Sequence, residues 1–134
     1  MKIGYAETNI TPSTPVNLAG YGVKRTSIDV HDPLMLRTLV FDDNHKDTVL
    51  IQTDLVGVDA CLIDMLADRL GINKEQIMIS CSHTHSGPTG TIDLKGLESI
   101  FGEFDLDYVD YWLESAVKCY KQAKEDLSIT KVGY

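Results

Sequence analysis

The chain has little of what would place it in a membrane, in a disulfide framework or on nucleic acid. Nowhere do about 18 apolar residues run together, which argues against a membrane-spanning helix. The opening MKIGYAETNITP carries a lysine but no apolar stretch of secretory length, so the chain as written is expected to be soluble, cytoplasmic and not exported. Cysteine is scarce: Cys61, Cys81 and Cys119 are odd in number and lack CxxC spacing, which fits neither a disulfide scaffold nor a zinc ribbon and suggests reduced, mostly buried thiols. Basic residues are outnumbered, 12 against 20 acidic, and the resulting charge of -8 repels phosphate backbones and anionic lipid surfaces, so nucleic acid is not expected as a partner. There is no internal repeat, low-complexity tract or linker, and the 134 residues read as one unit.

What is present is enough apolar material, 43% of residues, to build a core. Ile3 to Ile10 reads as a first strand, followed by a long punctuated loop from Thr11 to Gly22. Met35 to Phe41 alternates as a strand, DDNHKD supplies a turn with His45 at its solvated tip, and Thr48 to Leu55 is the hairpin partner with Asp54 near its end. Leu62, Ile63, Leu66 and Leu70 fall at helical spacing between Asp59, a good N-cap, and Gly71, a good C-terminal stop. Gln76 to Cys81 is a short apolar strand, and Asp107 to Leu127 a long amphipathic helix whose Tyr108, Tyr111, Trp112 and Tyr120 are expected to be mostly packing. Ser128 to Tyr134 begins another strand. The expected fold class is α/β, a mixed sheet flanked by helices and apparently truncated where the last strand begins.

The least ordinary stretch is ISCSHTHSGPTG, Ile79 to Gly90. If the chain stays extended beyond Cys81, His83 and His85 project to the same side, because residues two apart in a strand share a face. Their place beyond the carboxyl end of a strand is where open α/β sheets gather ligands. Neutral imidazole is a good zinc ligand, and a hydrolytic zinc site takes three protein ligands and leaves a position for water. Spacing alone would allow both histidines on one metal.

The same stretch resembles the HTHSGPGG signature of the neutral, non-lysosomal ceramidase family, zinc amidases that cleave the N-acyl bond of ceramide to sphingosine and fatty acid. GYAETNITP resembles the family's opening strand, with Asn9 where the family has an acid; LAGYG, VHDPLMLRTLVF and IQTDLVGVD resemble the segments that follow, in order, from Gly4 to about Leu127. The resemblance implies that residues 1–134 are the N-terminal portion of a ceramidase-like catalytic domain. It implies that His83 is a zinc ligand, that His85 is the catalytic residue facing the scissile amide, and that Gly20 lies in the substrate-binding turn. It implies zinc as cofactor and a small-molecule lipid or amide as substrate. The family completes its zinc site with a second histidine, a glutamate and a tyrosine from farther along a longer domain, so this chain by itself is expected to be inactive. Two other readings fit the same residues: a hydrolase of the same fold acting on another amide or an ester, and a non-catalytic domain that keeps the scaffold.

Other polar residues offer alternatives. Asp54 could orient a histidine from behind or cap the LVGVD loop. His31 in VHDP could line the same cleft or serve its turn. Ser86 lacks the GxSxG elbow of a serine hydrolase, and Cys81 at the end of an apolar run is more often core than ligand.

Overall fold

Two strands and a tight turn form the centre of the molecule. In the computed structural model, which describes residues 1–21 and 24–133, β2 (Met35–Asp42) and β3 (Asp47–Thr53) pair antiparallel from Leu36 opposite Thr53 to Asp42 opposite Asp47. β1 (Lys2–Asn9) lies antiparallel on the other side of β2, so that Glu7 faces Arg37 across the ladder. From β3 the chain crosses through α1 (Ala60–Leu70) and a 3-10 turn at Lys74–Gln76 to β4 (Ile77–Cys81), which runs parallel to β3. A one-turn helix α2 (Glu98–Phe101), the long α3 (Leu106–Glu125) and a two-residue β5 (Ser128–Ile129) complete the order. β5 pairs with β1, and the sheet runs β4-β3-β2-β1-β5. The expected mixed sheet is therefore present, and the segment at Ser128 adds to its edge; Gly22 and Tyr134, at the ends of two expected segments, lie outside the described residues.

Local chemistry explains the helix limits. The Asp59 carboxylate accepts the Cys61 N–H at 3.0 Å and caps α1, while Gly71 takes the left-handed conformation (φ 67°) that closes it. Asp105 caps α3 by accepting the N–H groups of Asp107 and Tyr108, so the helix starts one residue before the expected Asp107.

Both long helices cover one face of the sheet. Leu36 and Val40 of β2, Val49 and Ile51 of β3, and Leu62, Leu66, Trp112, Leu113 and Ala116 of the helices are fully buried, most of them in one continuous core. At Gly4 the sheet meets α3 so closely that a Cβ would stand 1.8 Å from the Ala123 carbonyl oxygen. The opposite face carries Ile3, Tyr5, Leu39, Phe41, Leu50 and Met78 in cross-strand register, with Tyr5 and Met78 exposed. No helix is long and apolar enough to cross a membrane among the described residues.

The aromatic residues of α3 are structural, as expected. The Trp112 Nε1–H donates to Thr53 Oγ1 at 3.1 Å, the Tyr108 hydroxyl to the Ile10 carbonyl at 3.0 Å and the Tyr111 hydroxyl to the Asn9 carbonyl at 3.2 Å. Tyr120 donates to Asp47. The cysteines depart from expectation: Cys119 is buried, but Cys81 is partly exposed and Cys61 exposed, because Cys61 occupies the outward side of the first turn of α1.

Candidate functional site

The site forms where the carboxyl ends of the two parallel strands meet. Thr53 ends β3 and Cys81 ends β4, and the Ser82 N–H still donates to the Thr53 carbonyl at 3.0 Å. The chain then leaves the extended conformation. His83 has φ 58°, a left-handed backbone that costs a non-glycine residue on the order of 1 kcal/mol and is held only where surroundings enforce it. The strand alternation expected to bring the two imidazoles together therefore does not operate. The left-handed turn does so instead: the His83 and His85 ring centroids are 5.2 Å apart, edge to face at 78°.

His83 is anchored from the neighbouring strand's exit loop. Its Nδ1 lies 2.7 Å from the carbonyl oxygen of Val56, a buried residue three positions beyond the end of β3. A carbonyl only accepts, so Nδ1 carries the proton and donates, which in the neutral ring leaves the lone pair on Nε2. A backbone carbonyl behind a histidine is a common means of fixing the tautomer and ring direction of a metal ligand. The Val56 loop is itself pinned, the buried Thr91 hydroxyl donating to the Gly57 carbonyl at 2.7 Å and the Asp59 N–H to the Thr91 carbonyl at 2.8 Å.

His85 is placed by packing. Gly20 has φ 83°, and a Cβ there would stand 2.2 Å from His85 Nδ1. Only a glycine both adopts that backbone comfortably and leaves room for the ring. Backbone pairing fixes the approach: the Ala19 N–H donates to the Gly87 carbonyl at 3.0 Å, Leu18 bridges to Pro88, and the Gly20 N–H donates to the Ile100 carbonyl at 2.8 Å. The Tyr21 ring stands edge-on to His85 at 5.6 Å, and the Arg25 guanidinium lies 4.4 Å from the Tyr21 centroid. Arg25 carries no motif that singles it out, and Tyr21 lies in the LAGYG segment without any role implied for it there.

The remaining candidates fall elsewhere. Asp54 touches neither histidine: its carboxylate accepts from the Met35 N–H at 3.1 Å, from Gln52 at 3.0 Å and from Arg37 at 3.3 Å, tying β2 to β3. Burial by itself would raise this carboxyl, but hydrogen bonds from Gln52, the Met35 N–H, Ser82 and Arg37 outweigh it and hold it below the usual aspartate value. His31 is 96% exposed and paired with Asp32 at 2.7 Å, with no hydrogen bond to either imidazole among the described residues. Ser82, Thr84 and Ser86, which alternate with the histidines, line a separate cavity of about 760 Å³ together with Asp54 and His31. Burial pushes the Cys81 thiol up, which disfavours a thiolate ligand. His45 is exposed at the β2–β3 turn, as expected.

The arrangement could offer one ligand to a metal and no more among the described residues. His83 offers one Nε2 already oriented, yet no three histidine, cysteine or carboxylate side chains converge among the described residues. A three-ligand centre at this position requires donors other than these.

No protein-family model matches the chain, and no curated protein sequence matches it. Solved structures do. A neutral ceramidase from Pseudomonas aeruginosa superposes with a TM-score of 0.81 at 23% identity, over 94% of this chain and 22% of that one. A ceramidase complexed with C2 superposes with a TM-score of 0.78 at 22% identity, over 94% of this chain and 21% of that one. The likeness is one of fold, and this chain, spanning about a fifth of the length of the ceramidases it matches, folds as the corresponding part of them does.

Proposed function

We propose that this chain supplies part of the active site of a zinc-dependent amide hydrolase of the ceramidase kind, acting on an N-acylated lipid or a related amide. The observation that carries the reading is the division of labour in the imidazole pair. His83, tied through Nδ1 to the Val56 carbonyl, keeps Nε2 for a metal; His85, against Gly20 and edge-on to Tyr21, has its ring centroid 5.2 Å from that of His83. The likeness of fold to a neutral ceramidase supports the substrate class.

When bound, zinc supplies Lewis acidity toward an acyl carbonyl. The chain's own contributions are separate from that. His83 is the ligand, its ring direction set by Val56. His85 would hydrogen-bond to the substrate and either stabilise developing charge or give a proton to the departing amine. Gly20 keeps the turn close enough for a substrate group to lie against His85. On this reading the 134 residues supply one ligand and the substrate-facing imidazole, and the other ligands must come from elsewhere.

Metal content by elemental analysis, measured on this chain and on a form carrying further ligands, tests the reading. Zinc near one per chain in the longer form is expected, with His83→Ala losing zinc and amidase activity together and His85→Ala losing activity while keeping zinc. Retention of both by His83→Ala overturns the assignment; loss of zinc by His85→Ala makes both histidines ligands. A panel of ceramide, short N-acyl amides and esters then fixes the substrate. Zinc in neither form would favour the non-catalytic scaffold, a reading consistent with the lack of three converging ligands among the described residues.

A further inference from the structure

The two imidazoles are held by different means. His83 has a hydrogen bond through Nδ1, whereas neither ring nitrogen of His85 has a hydrogen-bond partner among the described residues. A half-buried imidazole without a hydrogen bond keeps a single rotamer only if its neighbours leave no room for another. The neighbours are Gly20, against which Nδ1 sits, the edge-on His83 ring at 5.2 Å, and the Tyr21 ring at 5.6 Å and 77°. Gly20 and His83 are backbone-fixed. Tyr21 is a side chain on a loop and needs a support of its own, which the Arg25 guanidinium over its ring provides.

We propose that Tyr21, backed by Arg25, is the positioning residue for His85: the Arg25–Tyr21 stack closes the side of the pocket into which the His85 ring would otherwise rotate. The role belongs to the aromatic ring and not to the phenol. Edge-to-face packing of aromatic rings adds enough to simple burial to bias a rotamer population several-fold. Arg25 acts one step farther out. Removing its charge leaves Tyr21 in place part of the time, so its loss loosens His85 less than loss of Tyr21 does. Neither residue touches Val56 or the His83 ring in the contacts described, so the anchoring of His83 is independent of the stack.

The inference rests on the reading of His85 as the substrate-facing group only for its consequence in catalysis; the positioning itself is observable without metal or substrate. Nuclear magnetic resonance of the 134-residue chain reads it directly. In the parent chain, cross-relaxation is expected between the His85 ring protons and those of both Tyr21 and His83. Tyr21→Phe should preserve the His85 Cε1–Hε1 position and its contact with His83. Tyr21→Leu should shift and broaden that resonance and lose the His85–His83 contact, and Arg25→Gln should give a smaller change of the same kind, with the hydrogen-bonded Nδ1–H of His83 to Val56 retained in every case. Emission from the buried Trp112 checks that each variant is folded, and should Tyr21→Leu fail to fold, Arg25→Gln carries the comparison.

Unchanged His85 signals in a folded Tyr21→Leu or Arg25→Gln would overturn the proposal, as would a Tyr21→Phe that behaves like Tyr21→Leu. In an active form of the enzyme, Tyr21→Leu should lower kcat with zinc content intact, and Tyr21→Phe should restore it. Resonance changes without any effect on turnover would instead defeat the hydrolytic role of His85 and leave its positioning standing.

Discussion

Two threonines on the buried face of the sheet give opposite expectations for the same substitution. Thr53 and Thr38 are both fully buried, on neighbouring strands. Thr53 Oγ1 accepts the Trp112 Nε1–H at 3.1 Å, whereas Thr38 Oγ1 has beside it, among the described residues, only the Cys119 sulfur, a weak acceptor whose own thiol is directed at the Leu36 carbonyl, 3.9 Å away. Valine matches threonine in shape, so neither change opens a cavity. Thr53→Val leaves a buried indole N–H without an acceptor, a loss of about 1–3 kcal/mol. Thr38→Val removes a desolvated hydroxyl with at most that weak sulfur partner and should be close to neutral or stabilising by up to about 1 kcal/mol. At about 2.1 cal/mol/K per residue, unfolding entropy over this chain makes each kcal/mol worth about 3.6 °C, so Thr53→Val should lower Tm by about 4–11 °C while Thr38→Val holds or raises it. Urea unfolding followed by the single tryptophan and by circular dichroism measures both. If Thr53→Val costs no more than Thr38→Val, the hydrogen bond to Trp112 is not holding α3 on the sheet.

Gly4→Ala should destabilise by about 1–3 kcal/mol in the same urea assay, since its Cβ would meet the Ala123 carbonyl at 1.8 Å and α3 would have to lift from β1. Gly71→Ala, with nothing within 4 Å, should cost only the left-handed backbone, about 1 kcal/mol. Gly20→Ala meets both penalties, and its specific signature should be loss of the His83–His85 ring contact in aromatic spectra while Trp112 emission stays native. Acid should weaken the fold through the two caps and ties made by aspartates: hydrogen bonds from the Cys61 N–H lower Asp59, and those to Asp54 lower it against its burial. Groups depressed in the folded state stabilise it above their unfolded value, so unfolding free energy should fall as pH drops below about 4, less steeply in Asp54→Asn.

The amino-acid pattern by itself determined the elements and their class. Apolar alternation in Met35–Phe41 and Thr48–Leu55 around DDNHKD could only be satisfied by a hairpin with one face inward, and Asp59 and Gly71 bracket a helix whose apolar stripe needs a sheet to cover. The pattern also marked His83 and His85 as the unusual pair, because two imidazoles beyond an apolar strand have no packing purpose. What it could not give was how they meet. Extended geometry would have aimed them together, but His83 turns left-handed, and its partner is a backbone carbonyl, Val56, 27 residues earlier, with no side-chain signature. Asp54 looked equally able to serve a histidine; only the antiparallel register of β2 and β3, which sets Arg37 opposite Gln52, decided that it ties strands instead. Gly20 was legible as a turn glycine, but its closeness to His85 arises from pairing of Ala19 with Gly87, residues far apart in sequence. Periodicity is a local property and so is written in the chain. The facing of one ring by another depends on loops closed across the sheet, and only the folded molecule fixes it.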